Sequence, residues 1–178
     1  MSEAFSPLLK KLTGGDKRQI GRSNEVVATV LKNPSLFQEL FSGLTASDPL
    51  VRMRAADAAE KITRQHPELL NAHKVALLRV LENTEEQEVA WHAAVMAPRL
   101  TLYKNDRLRV FAVLKSFLNA PSRIQRVMAL QGLVDLATAT PSLVTAVIPL
   151  VNDALEADVP SVRARARKLK KQLDRLPQ

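Results

Sequence analysis

Apolar positions recur with helical spacing from Ile20 to Leu173, and one short phrase returns along the way. Its clearest copies are Val51-Arg-Met-Arg-Ala55 with Ala58, Ala59 and Ile62, and Val162-Arg-Ala-Arg-Ala166 with Leu169 and Leu173. Weaker copies are Ile20…Val27-Ala28…Leu31, Val89…Ala93…Met96-Ala97…Leu100 and Arg126…Ala129…Gly132-Leu133…Leu136. The second residue of the phrase falls at positions 21, 52, 90, 126 and 163, giving spacings of 31, 38, 36 and 37 residues. A period in this range marks an α-solenoid, in which each repeat buries its apolar face by stacking on its neighbours.

A second set of helices lies between these phrases. Asn33-Pro34-Ser-Leu-Phe37, His66-Pro67-Glu-Leu-Leu70 and Thr140-Pro141-Ser-Leu-Val144 share one opening. Asn and Thr are good N-caps, and proline in the first helical position gives up a donor that has no partner there. Ser6-Pro7 is a shortened version and Asn105-Asp106 one without proline. The pattern predicts five leading helices at 7–13, 34–44, 67–82, 106–118 and 141–155. Five following helices are predicted at 16–32, 49–64, 86–100, 122–137 and 160–175. Broad apolar faces are expected from Leu36, Phe37, Leu40, Phe41 and Leu44, and from Leu108, Phe111, Leu114, Phe117 and Leu118. Short breaks at Gly14-Gly15, Ser47-Asp48-Pro49, Asn119–Ser122 and Asp158–Ser161 favour antiparallel neighbours. No long linker divides the chain, so one domain over 1–178 is expected, with helix pairs at 7–32, 34–64, 67–100, 106–137 and 141–175.

The segment Ala146-Val-Ile-Pro149-Leu-Val-Asn-Asp-Ala-Leu155, followed by Asp158, Val162-Arg163 and Ala166, resembles the HEAT repeat family. A proline within the first helix, an Asp in the turn and Val-Arg opening the second helix carry the resemblance. The second pair matches at Asp48, Val51-Arg52 and Ala55 but lacks the mid-helix proline; the first has Gly21, and the third Ala90, where Arg is expected. The resemblance implies a right-handed α-α superhelix of about five antiparallel pairs, and a scaffold rather than an enzyme.

Composition narrows the function classes. Aromatic residues are 4% of the chain, so the core is expected to be Leu, Val, Ile and Ala. With no cysteine there is no disulfide, thiolate metal site or Cys nucleophile, which accords with a cytoplasmic location. No run of 18 apolar residues predicts a membrane span. The opening Met1-Ser-Glu-Ala-Phe-Ser-Pro7 lacks a basic region followed by an apolar stretch, so no secretory signal is expected. His66, His73 and His92 are too dispersed for a metal cluster, and no Gly-rich loop or nucleophile motif occurs; neither catalysis nor a cofactor is expected. HEAT-like glycosylases use concave aromatics with a catalytic Asp, but here Trp91 stands alone with Val95 in the next turn.

Charge gives the remaining candidates. Formal net charge is +8, and the following helices carry 18 of the 26 Lys and Arg. Arg52, Arg126 and Arg163 each fall in the first turn of a following helix, where the macrodipole disfavours a cation. Asp48 and Asp158 are the expected turn partners of Arg52 and Arg163, while Arg126 has no acid in its preceding turn. At 100° per residue, the face opposite the buried stripe collects Arg22, Val26 and Thr29; Met53, Asp57, Glu60 and Arg64; Trp91, Val95 and Pro98; Val127, Gln131 and Val134; and Lys168, Lys171 and Arg175. This face is basic at its ends and apolar in the middle. The first expectation is a protein or peptide partner on a concave surface at Arg22, Met53, Trp91 and Val95; the alternative is that neighbouring helices bury the stripe. A second expectation is nucleic-acid binding by Arg163, Arg165, Arg167, Lys168, Lys170 and Lys171, where about 5 phosphate contacts predict a log–log salt slope near −4.5. A soluble cap with one docked face accounts for the same helix.

Overall fold

The computed structural model describes residues 5–16 and 19–176, and no strand occurs among them. The described residues form ten α-helices: α1 Pro7–Lys10, α2 Ser23–Lys32, α3 Phe37–Ser42, α4 Pro49–Thr63, α5 Lys74–Asn83, α6 Gln87–Met96, α7 Lys104–Phe117, α8 Arg123–Ala139, α9 Val144–Leu155 and α10 Pro160–Leu173. Among the described residues, no helix is long and apolar enough to cross a membrane. The chain divides into two compact units, Met1–Ala93 and Ala94–Gln178.

The same packing recurs in both units. In the first, α2 lies on α4 and α3 packs against α4. In the second, α8 lies on α10, with α7 against α8 and α9 against α10. Small side chains let following helices approach: Ala55, Ala58 and Ala59 are fully buried in α4, as is Ala166 in α10. Three polar bonds between stacked helices share an offset of 34 residues. Ser23 Oγ donates to Asp57 at 2.7 Å, Arg165 to Gln131 at 2.9 Å, and Gln172 to Thr138 at 3.4 Å.

Proline openings work by backbone rather than side-chain capping. Pro34–Leu36, Pro67–His73 and Pro141–Leu143 form 3₁₀ turns ahead of α3, α5 and α9. Asn33, His66 and Thr140 make no side-chain cap bond. Their carbonyls instead accept the N–H of Leu36, Leu69 and Leu143 at 3.1, 3.2 and 2.9 Å. Side-chain caps occur at Ser6, Asp48 and Ser122.

The first following helix departs from expectation. Predicted from residue 16, α2 begins at Ser23; residues 17 and 18 of the expected range lie outside the described residues, as do residues 1–4 of the opening segment. Gly14, Gly15 and Gly21 have φ of 69°, 80° and 55°, which stops regular helix. The loop is organised by Arg54, which is 1% exposed. Its guanidinium donates to the carbonyls of Leu12 and Gly14 at 2.7 Å, Asp16 at 3.0 Å and Gln19 at 3.1 Å. A Cβ at Gly21 would lie 3.0 Å from that guanidinium. The phase of α2 turns accordingly: Ser23, Val26 and Val30 are buried, while Ile20 and Ala28 are exposed. The apolar face of α7 is also narrower than predicted, since Leu108 is exposed and Val110 and Leu114 fill the core.

Candidate partner-binding surfaces

Three arginines occupy the fourth position of a following helix, and their surroundings differ. Arg52 of α4 donates to the carbonyls of Ala46 and Ser47. It pairs with Glu86, just ahead of α6, at 2.7 Å through Nε. The expected partner Asp48 is instead the helix cap, accepting from the Leu50 N–H at 2.8 Å. Asp48 is turned toward the backbone donors of its own helix start, leaving the guanidinium to the carboxylate 34 residues on. Arg163 of α10 donates to the Ala157 carbonyl at 2.6 Å and makes no ion pair with Asp158. Both residues reach the carbonyl six positions back. Arg126 of α8 makes no such bond, and its Nε is buried without a partner.

The expected concave stripe is buried in part. Val26 and Val134 are fully buried, Glu60 is 2% exposed and Val95 7%. Asp57 accepts from Ser23 and Lys61, and Lys61 also donates to Asn24 at 3.1 Å, so α2 covers this side of α4. Arg22 is exposed, and Glu25 engages it through two bonds of 2.7 and 2.9 Å. Lys11 also reaches Glu25, at 2.8 Å. The two cations hold that carboxyl at about 2. Met53 and Trp91 remain half-buried, with Trp91 edge-on to His92. Val95 is enclosed, so contact with a partner there requires the helix to move.

The six basic residues of α10 separate into engaged and open groups. Arg163 and Arg165 are tied to Ala157 and Gln131, and Lys170 pairs with Asp174 at 3.1 Å. Arg167, Lys168 and Lys171 are exposed and, among the described residues, unpartnered. They fall within one arc of about 100°, opposite the buried Val162, Ala166, Leu169 and Leu173. Arg175 continues the arc in the closing turn. The face spans about 12 Å at 1.5 Å rise per residue. Lys171 also gains from the negative end of the helix dipole.

Charge is divided as unevenly as the open cations. Residues 1–93 contain 12 Lys and Arg and 12 Asp and Glu. Residues 94–178 contain 14 and 6, so the whole excess of +8 belongs to the second unit. Sequence phase had separated Lys168, Lys171 and Arg175 from the engaged residues, but composition alone grouped all six cations of the helix.

The histidines lie in separate surroundings, with His66 beside Glu68 at 3.1 Å. His73 stacks on Phe41 at 4.5 Å and lies edge-on to Phe37; burial lowers its pKa. Burial likewise lowers that of His92, with Asp57, Glu60, Lys61 and Arg64 acting on it in opposing directions. Among the described residues, no group of three or more His, Asp or Glu side chains is placed to hold a metal ion. Comparison of the chain with family models, curated proteins and solved structures finds no significant match.

Proposed function

We propose that this protein is a non-catalytic interaction scaffold of the HEAT type, whose open α10 face receives an acidic protein partner. The observation carrying this reading is the row Arg167, Lys168, Lys171 and Arg175: exposed, unpartnered among the described residues, and part of a unit that holds the entire positive excess. A face of about 12 Å, with four cations and no aromatic residue between them, suits an acidic helix or loop better than a long nucleic-acid track. The recurring arginine, Pro149 and the 34-residue stacking offset support a superhelix of about five pairs. The absence of cysteine supports a cytoplasmic setting.

The test begins with nuclease-treated extract of the native host, from which the partner is captured, identified and purified. Its affinity is then measured for the wild type and for Arg167→Gln/Lys168→Gln/Lys171→Gln/Arg175→Gln. The reading predicts a loss of at least about tenfold, carried largely by slower association. Retention of affinity, or binding only before nuclease treatment with a duplex salt slope near −3.6 for about 4 phosphates, rejects it.

The peptide-groove reading retains one specific support, the half-exposure of Met53 and Trp91 in the first unit. On that reading Trp91→Ala and Met53→Ala weaken partner capture while the melting transition stays cooperative.

A further inference from the structure

We infer that the cleft around Arg126 is a carboxylate receptor, completed by a Glu or Asp side chain of the acidic partner. The inference rests on the proposed binding of an acidic protein, but concerns a different surface from the open α10 face. The cleft has a volume of about 270 Å³ and is lined by Lys115, Leu118, Arg126, Leu150, Asp153 and Val162, among others.

The molecule contains its own reference for this position. Arg52 and Arg126 stand at the same helical step, the fourth residue of α4 and of α8. Around Arg52 the guanidinium is saturated by two carbonyls and by Glu86, which sits one residue before the next following helix. The residue in that place ahead of α10 is Val159. The carboxylate that completes Arg52 therefore has no counterpart for Arg126. The carbonyl contact is also missing, and Nε is shut from solvent without an acceptor. A guanidinium stays charged at any pH of interest and presents its donors in a planar fork that fits a carboxylate. A buried donor without an acceptor is costly, so a ligand oxygen delivered there recovers a penalty already present in the free protein. Asp153 lines the cleft but makes no ion pair with Arg126. Lys115 adds a second cation, and Leu118, Leu150 and Val162 supply apolar wall for the methylenes of a glutamate.

The experiment observes Arg126 directly. In protein with ¹⁵N-labelled arginine, the Arg126 Nε–H resonance is followed while N-acetyl-glutamate N-methylamide is added. A saturable shift at millimolar concentration is expected, with none from the neutral glutamine analogue. In parallel, Val159→Glu supplies the carboxylate within the chain. It should raise the melting temperature by about 2–4 °C, move the Arg126 resonance and abolish the titration. A carboxylate at a helix N-terminus is favourable in itself, so the variant is repeated with Arg126→Gln, where the pairing part of the rise should vanish. Three results overturn the inference: no response to the glutamate analogue, an equal response to the glutamine analogue, or an equal rise from Val159→Glu with and without Arg126. A fourth is that Asp153→Asn shifts the free Arg126 resonance as pairing would require, which makes Asp153 the internal partner. Substitutions on the open α10 face should leave the titration unchanged. A silent Arg126 alongside partner binding lost in the α10 variant would reject the receptor and leave the proposed function standing.

Discussion

Arg54 illustrates how a single side chain decides local structure. Sequence periodicity placed it beside the turn arginine Arg52 as part of one phrase, yet the two do different work. Arg52 faces a carboxylate, whereas Arg54 is enclosed by the carbonyls of Leu12, Gly14, Asp16 and Gln19. Replacing it with Met removes the donors that gather this loop. We expect Arg54→Met to cost about 3 kcal/mol in urea unfolding, with faster amide exchange in residues 12–22. Gly132 is a second residue whose role only the packing reveals. A Cβ there would collide with the Ala94 carbonyl oxygen and lie 3.2 Å from Leu114 Cδ1. Alanine gains about 1 kcal/mol in helix propensity, but the opposing atom is backbone and cannot turn aside. Gly132→Ala should therefore lower stability by about 2 kcal/mol, read from denaturant midpoints; a stabilised variant would contradict this packing.

At the scale of elements, helix order and most boundaries were legible because capping, proline and apolar spacing agreed. α4, α7, α8 and α10 lie within two residues of their predicted bounds or closer. The start of α2 was not legible. It depends on backbone acceptors and on glycines held at positive φ by a side chain 33 to 40 residues away, and periodicity carries no such information. Burial along the candidate stripe was not legible either: Val95 is enclosed, whereas Arg22 is exposed and Met53 and Trp91 are half-buried. Phase set Val26, Val95 and Val134 opposite the apolar stripes of their helices, yet all three are buried, because phase does not say whether a neighbouring helix already occupies that side. The half-buried histidines give this scale its own prediction. Burial lowers the pKa of His73 and His92 from an ordinary 6.5, so the unfolded chain takes up protons that the folded chain resists. Stability should be highest above pH 6.5 and fall as pH drops through that value. Melting curves between about pH 7.5 and 5 should show the decline, and His73→Gln/His92→Gln should flatten it.

For the whole molecule, the informative quantity is where charge is left over. A net charge of +8 alone accords equally with solubility, nucleic acid or an acidic protein. Its division changes the reading: residues 1–93 balance, and residues 94–178 carry the excess. Within α10 and its closing turn, ion pairs and carbonyls absorb Arg163, Arg165 and Lys170, leaving Arg167, Lys168, Lys171 and Arg175 on one open face. The number of available cations, rather than the number in the helix, sets the expected salt response. The most direct measurement is the affinity of the purified partner for wild-type protein and for Arg167→Gln/Lys168→Gln/Lys171→Gln/Arg175→Gln across a salt series. The account predicts at least about a tenfold loss at low salt that narrows as salt rises. Equal affinity of the two proteins at every salt concentration would contradict it.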